Sequence, residues 1–397
     1  MESLKAEVPT GVVTGEYDDR FQAVVDQFID NFHVNDEVGA SLCVSHEGET
    51  VIDVWGGAVD REITAPWDRD TISIVMSCTK GAVALCAHVL ASQGKLDIEA
   101  PVNEYWPEFA TNGKDRATVR MMLDHSVGVP AIRGELAPDF MIHWDQVTER
   151  IAAEAPFWEP GTRNGYHLIN FGWTVGELVR RVSGKSLGAF FQEAICEPLS
   201  LDFWIGLPEE HEPRVSNLIQ ATPPESTGHV SKFMEVIMSE PESATRVAMS
   251  NMLSQKTSGR DWHAAEIGGG GGITNARGLA GMYTPLALGG GNLIDRETLE
   301  RARRCSVATN LDATLQIATR FGLGFMLSMD NRDKYDKDSV ILGEHAFGHV
   351  GMGGSIGFAD PSIGLAMGYT MNRMGPGILL NERGQSLVDA TYRVIAA

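Results

Sequence analysis

The sequence predicts an α+β fold, with an antiparallel sheet assembled from both ends of the chain, flanked by N- and C-terminal helices, and a mainly helical lobe inserted between the two ends. Three observations carry this expectation. Strand-like runs cluster at 40–76 and again at 320–371. Helical patterns joined by long loops fill 97–315. Amphipathic patterns stand at 18–31 and 384–395, one near each terminus. The expected division is a discontinuous lobe of residues 1–75 and 316–397, a helical lobe of 76–315, and a site at their seam.

Each element has a local reason. Phe21, Val24, Val25, Phe28 and Ile29 recur at helical spacing and mark an apolar stripe. Ala40, Leu42 and Val44, then Val51 and Trp55, alternate as strands, and residues 46–49 supply the turn of a hairpin. Residues 71–76 lead directly into an apolar helix that begins at Ser77 and stops near Gly94. Further on, 119–123, 144–155, 171–182, 187–195 and 276–288 read as helices, punctuated by Pro and Gly. Residues 207–262 are polar and irregular, and no element is assigned there. The pattern then returns to strand at 320–327, 346–350, 355–360 and 365–371.

Composition narrows the function. The chain has 397 residues, 43% hydrophobic and 21% charged, the balance of a globular protein with a sizeable core. Its formal net charge of -21 repels phosphate backbones and anionic lipid, so neither nucleic acid nor a membrane is an expected partner. A homo-oligomer is compatible with the sequence. The N-terminal stretch is acidic and lacks an apolar run, so the reading places the protein in the cytoplasm. Cys43, Cys78, Cys86, Cys196 and Cys305 are scattered, and no Cys/His spacing fits zinc. Neither a metal nor another cofactor is expected, and the thiols read as reduced and mostly buried.

The chemistry centres on Ser77-Cys78-Thr79-Lys80, an S-x-x-K pattern where a strand feeds a helix. A spacing of three puts both side chains on one helix face. A serine hydroxyl needs a base to become a nucleophile, and a lysine can serve once burial disfavours its ammonium form. The apolar run after Lys80 offers that burial, and free N–H groups at the helix start can hold an oxyanion.

Two later segments extend the pattern. Residues 160–166 read PGTRNGY and end on Tyr166, and residues 347–361 read FGHVGMGGSIGFADP, containing His349-Val350-Gly351. In order and spacing the three segments resemble the motifs of the serine β-lactamase and D-Ala-D-Ala peptidase superfamily, most closely the family VIII carboxylesterases. Weaker matches lie at 118–130 and at Asn275-Ala276-Arg277. The resemblance implies a β-lactamase/transpeptidase-like fold with Ser77, Lys80 and Tyr166 as the catalytic group. It also implies an oxyanion hole from the Ser77 and Met352 N–H groups, and His349 and Gly351 against the substrate. Glycines at 351, 353 and 354 are expected to let substrate approach the strand. Whether Lys80 or Tyr166 takes the serine proton is open at this stage.

Two departures bear on the substrate. The β-lactamase pattern has Tyr-x-Asn, whereas this chain has Tyr166-His167-Leu168; His349 stands where lysine is usual. The missing groups would orient Lys80 and hold a substrate carboxylate, so both changes favour neutral esters. The expected activity is hydrolysis of small or medium carboxylic esters through an acyl-Ser77 intermediate. The alternatives are a β-lactamase, D-amino-acid peptidase or acyltransferase on the same scaffold, and, from another class, a non-catalytic binding protein. Residues 207–262 and 124–143 are expected to line the substrate pockets. Gly353-Gly354-Ser355-Ile356-Gly357 matches G-x-S-x-G, but no histidine follows Ser355 to complete a triad, so Ser355 is rejected as nucleophile. His125 and His167 are read as structural. The glycine run 268–272 lacks a Gly-Lys-Ser/Thr ending and is read as a flexible cleft rim.

Overall fold

The computed structural model describes residues 1–221, 230–334 and 337–397. Four strands come from the N-terminal part, β1 (Glu2–Val8), β2 (Gly11–Tyr17), β3 (Gly39–His46) and β4 (Glu49–Gly57). Three come from the C-terminal part, β5 (Phe347–Val350), β6 (Ile356–Asp360) and β7 (Leu365–Met371). They form one sheet in the order β1-β2-β4-β3-β7-β6-β5, antiparallel throughout. The two halves meet where β3 pairs with β7, Leu365 opposite His46 and Met371 opposite Ala40.

Alternation along β7 explains how the sheet is covered. Leu365, Met367, Tyr369 and Met371 point into one core with Phe28, Phe32, Leu387 and Val388. These last four lie on helices α1 (Gln22–Val34) and, at the C-terminus, Glu382–Ala396. The intervening Ala366 and Gly368 face the other way. There the helix Ala276–Ala287 packs so close that a side chain at Gly368 would strike the Ala276 carbonyl and Ala280 N–H. This helix lies on the sheet although it falls within the stretch read as the helical lobe. A second, larger core gathers residues from Ile72 to Leu327, with Phe347, Ala359 and Ala366 of the sheet, around α2 (Cys78–Ser92), whose side chains are buried from Cys78 to Leu90.

Several elements depart from the sequence reading. The hairpin of β1 and β2 was not expected, because an edge pair with few fully buried side chains shows little apolar alternation. Of residues 207–262, 222–229 lie outside the described residues; the described ones hold a 3-10 helix, Glu209–Arg214, the α-helices Lys232–Ser239 and Ala244–Leu253, and the start of Arg260–Ala264, all short and in a polar stretch. The strand expected at 320–327 is only Thr319–Phe321, paired with Val307–Thr309. Ile72–Ile74 belongs to a separate four-stranded sheet with Phe203–Trp204, Val215–Ser216 and Ile273–Thr274. Among the described residues no helix is long and apolar enough to cross a membrane.

Candidate active site

The strand Ile72–Ile74 reaches α2 through a single tight corner. Met76 there has a φ of 47°, a left-handed conformation that costs a non-glycine residue on the order of 1–3 kcal/mol. The corner sets Ser77 at the N-cap of α2, half-buried, on the wall of a cavity of about 360 Å³. One turn on, the Lys80 ammonium position is fully enclosed.

Lys80 Nζ stands 2.9 Å from Ser77 Oγ, and it donates to the Leu168 carbonyl at 2.6 Å and the Gly269 carbonyl at 2.5 Å. Burial drives its pKa well below 10.5, and no carboxylate contributes to holding it up. The asparagine missing at position 168 is thus replaced as a lysine anchor by the backbone of the residue that stands there. The second anchor corrects the reading of the glycine run. Residues 268–272 are buried, and Gly269 is wedged between Ile169 and Gly172 with no room for a side chain at either glycine. The run is a packed wall, bare of side chains because two backbones touch.

Tyr166 lies in an irregular segment ahead of the helix Phe171–Ser183, with its ring 4.8 Å from Lys80 Nζ. Burial pushes its phenol far above 10.0, a hydrogen bond with Ser77 partly offsetting this. Its hydroxyl is 3.4 Å from His349 Nε2. His349 donates from Nδ1 to the Val350 carbonyl, 2.8 Å away, which leaves Nε2 as acceptor for the phenol. Burial, then the Lys80 charge, lowers the His349 pKa to about 3, so the ring is neutral at ordinary pH.

The structure therefore brings Ser77, Lys80, Tyr166 and His349 together. His349 and Gly351 were expected against substrate, yet neither is on the cavity wall. His349 is turned to Tyr166. A side chain at Gly351 would strike Ser355 Oγ and the Val75 carbonyl, so this glycine lets the strand end close against the Ser77 corner. Met352 does line the cavity beside Ser77. Among the described residues neither the Ser77 nor the Met352 N–H donates to a protein acceptor.

Ser355 is fully buried and donates to the Val75 carbonyl at 3.0 Å, tying the start of β6 to the Ser77 corner. Ser355→Ala is expected to leave ester turnover within a few-fold of wild type and to cost about 1 kcal/mol of stability. Parallel kinetic and urea-unfolding measurements check both. Cys78 is inert, its thiol pushed up to about 12 by burial and donating to the His349 carbonyl at 3.2 Å. His125 and His167 are structural too. His167 N–H donates to His125 Nδ1, and His167 Nε2 accepts from Val129 N–H, both at 3.2 Å.

Asp312 is a buried residue that sequence reasoning missed. Its carboxylate accepts from the backbone N–H groups of Tyr166 (3.0 Å), Thr314 (2.8 Å) and Leu315 (2.8 Å), and so fixes the segment bearing the phenol. Nothing in a lone aspartate flanked by leucine and alanine signals this, since its partner is 146 residues away. Asp312→Ala takes the acceptor from three buried backbone N–H groups and from the Thr319 and Asn164 side chains; a loss of about 3 kcal/mol or more is expected in urea unfolding, with a fall in kcat.

The comparisons with known proteins agree with the fold. A beta-lactamase family model matches residues 22–389. Over 381 residues, 94% of this chain and 86% of the relative, the sequence is 33% identical to an esterase/beta-lactamase, LipL, of Mycobacterium tuberculosis. A crystal structure of a family VIII carboxylesterase superposes with a TM-score of 0.84 at 35% identity, covering 96% of this chain and 99% of the other. A penicillin-binding-protein homologue from Caulobacter crescentus gives 0.85 at 34% identity over the same shares. With its fold, motif order and nearly full-length matches in accord, the chain belongs to the beta-lactamase family, as a hydrolase with esterase relatives.

Proposed function

We propose that the protein is a serine carboxylesterase that hydrolyses small or medium carboxylic esters through an acyl-Ser77 intermediate, at a site between two lobes, 1–75 with 316–397 and 76–315. The observation that carries this reading is the setting of Lys80: enclosed, without a carboxylate, and held by two carbonyls. A neutral amine has two N–H groups and one lone pair. With both N–H groups committed to Leu168 and Gly269, the lone pair faces the Ser77 hydroxyl 2.9 Å away. Lys80 is then the general base, because burial favours its neutral form while the same burial keeps Tyr166 protonated.

Ser77 Oγ bonds to the ester carbonyl carbon as its proton passes to Lys80. The carbonyl electron pair moves to oxygen, where the Ser77 and Met352 N–H groups receive it. Collapse breaks the bond to the alcohol, whose oxygen takes a proton from Tyr166, which is resupplied by Lys80. Water then attacks the acyl-Ser77 with the same base, releasing the acid and restoring the serine. His349 holds the phenol in place by accepting from it. Esterase relatives and a carboxylesterase neighbour support the choice of substrate bond.

Intact-mass spectrometry after quenched mixing with a panel of esters, lactones, amides and β-lactams tests the proposal. Esters should give an adduct of acyl mass that maps to Ser77 and decays with turnover. Adducts from β-lactams or amides but not esters would overturn it in favour of the peptidase or β-lactamase reading.

A further inference from the structure

The cavity beside Ser77 has an unusual wall. Six of its residues are methionines, Met76, Met141, Met249, Met252, Met352 and Met374. Among the described residues lining it there is no Asp, Glu, Lys, Arg or His. Its volume, about 360 Å³, is near the lower end of the roughly 300–1,000 Å³ of small-molecule sites. Unbranched thioether side chains repack around differently shaped apolar groups, whereas a carboxylate placed here meets no cation.

The helix Ala244–Leu253 supplies three residues of this wall, and its two faces differ. Met249, Met252 and Leu253, spaced three and four apart, line the cavity. The rest of the helix and its end are fastened. Thr245 donates to the Thr314 carbonyl at 2.8 Å, and Asn251 makes a two-way bond with the Ile132 backbone at 2.8 and 2.9 Å. Gln255 just beyond accepts from Met141 N–H and donates to the Ala137 carbonyl, both at 3.0 Å. The backbone is therefore held still while the side chains over Ser77 can adapt.

Resting on the acyl-Ser77 reading, we infer that this cavity takes esters carrying an uncharged, flexible apolar group of medium length, and that Met249 and Met252 determine that specificity. Selection comes from side-chain volume on a fixed helix, so adding bulk there shortens the group accepted.

The test uses the full-length protein and compares kcat/KM in two series. p-Nitrophenyl octanoate against acetate varies the acyl part, and octyl against ethyl acetate varies the alcohol part. A preference of tenfold or more for the longer member is expected in one series, which identifies the half of the ester that occupies the cavity. Mono-p-nitrophenyl octanedioate, which adds a terminal carboxylate, should be at least 100-fold poorer than the octanoate. In Met252→Trp the long-to-short ratio should drop at least tenfold. Flat profiles in both series, or a carboxylate analogue within threefold of the neutral ester, overturn this inference while leaving the esterase reading standing; these arms need no variant. Absence of turnover and of a Ser77 adduct with every ester overturns both.

Discussion

Ser77→Ala is expected to lower kcat/KM for a p-nitrophenyl ester by about 10⁴-fold or more, because loss of a nucleophile removes the covalent route as a whole. The fold should persist. Ser77 is half-buried, and its hydroxyl contacts Lys80 and Tyr166 at the cavity wall, so its removal forfeits about 1 kcal/mol of hydrogen bonding. Circular dichroism and thermal melting should show a native-like protein, and intact mass should show no acyl adduct. A variant that keeps wild-type turnover would remove Ser77 from the mechanism. Retained turnover in a doubly substituted Ser77→Ala, Ser355→Ala protein would exclude both serines.

Lys80→Met should cost about 10³–10⁴-fold in kcat/KM, the upper range for a positioned general base. The thioether keeps the bulk of the side chain in an enclosed site but offers no lone pair for the Ser77 proton. The wild-type pH profile carries independent information. Burial lowers the Lys80 pKa, so the neutral, competent form persists to lower pH than for an exposed lysine. Activity should rise with pH along an acid limb whose midpoint lies well below 10.5, and Lys80→Met should lack that limb. His349, its pKa lowered to about 3 by burial, cannot supply a limb near neutrality. A limb that survives in Lys80→Met would assign the base elsewhere.

Much of the arrangement was legible in the chain. The S-x-x-K pattern at a strand-to-helix junction needs only local geometry, and α2 places Ser77 and Lys80 one turn apart. The hairpin of β3 and β4 and the strand β7 show in their alternation, since one face of each meets an apolar core. Their membership of one sheet could be expected from strand signals at both ends. What local pattern does not carry is any contact made by backbone or by a distant partner. The carbonyls of Leu168 and Gly269 hold Lys80 whatever side chains they bear, so the loss of asparagine at 168 exaggerated the change in the site. His349 looks the same in sequence whether it faces a substrate or a phenol.

By itself, then, the sequence determined the α+β scaffold and put forward the proposed reactive set, a serine, an amine and a phenol, because residue chemistry and short-range periodicity are written in the chain. The tertiary structure alone decided the setting: burial that lowers the Lys80 pKa, the Leu168 and Gly269 carbonyls that hold its nitrogen, Asp312 under Tyr166, and a cavity wall to which a helix in a polar stretch brings Met249 and Met252. Burial and backbone direction arise from packing between segments far apart in the chain, and no single segment encodes them.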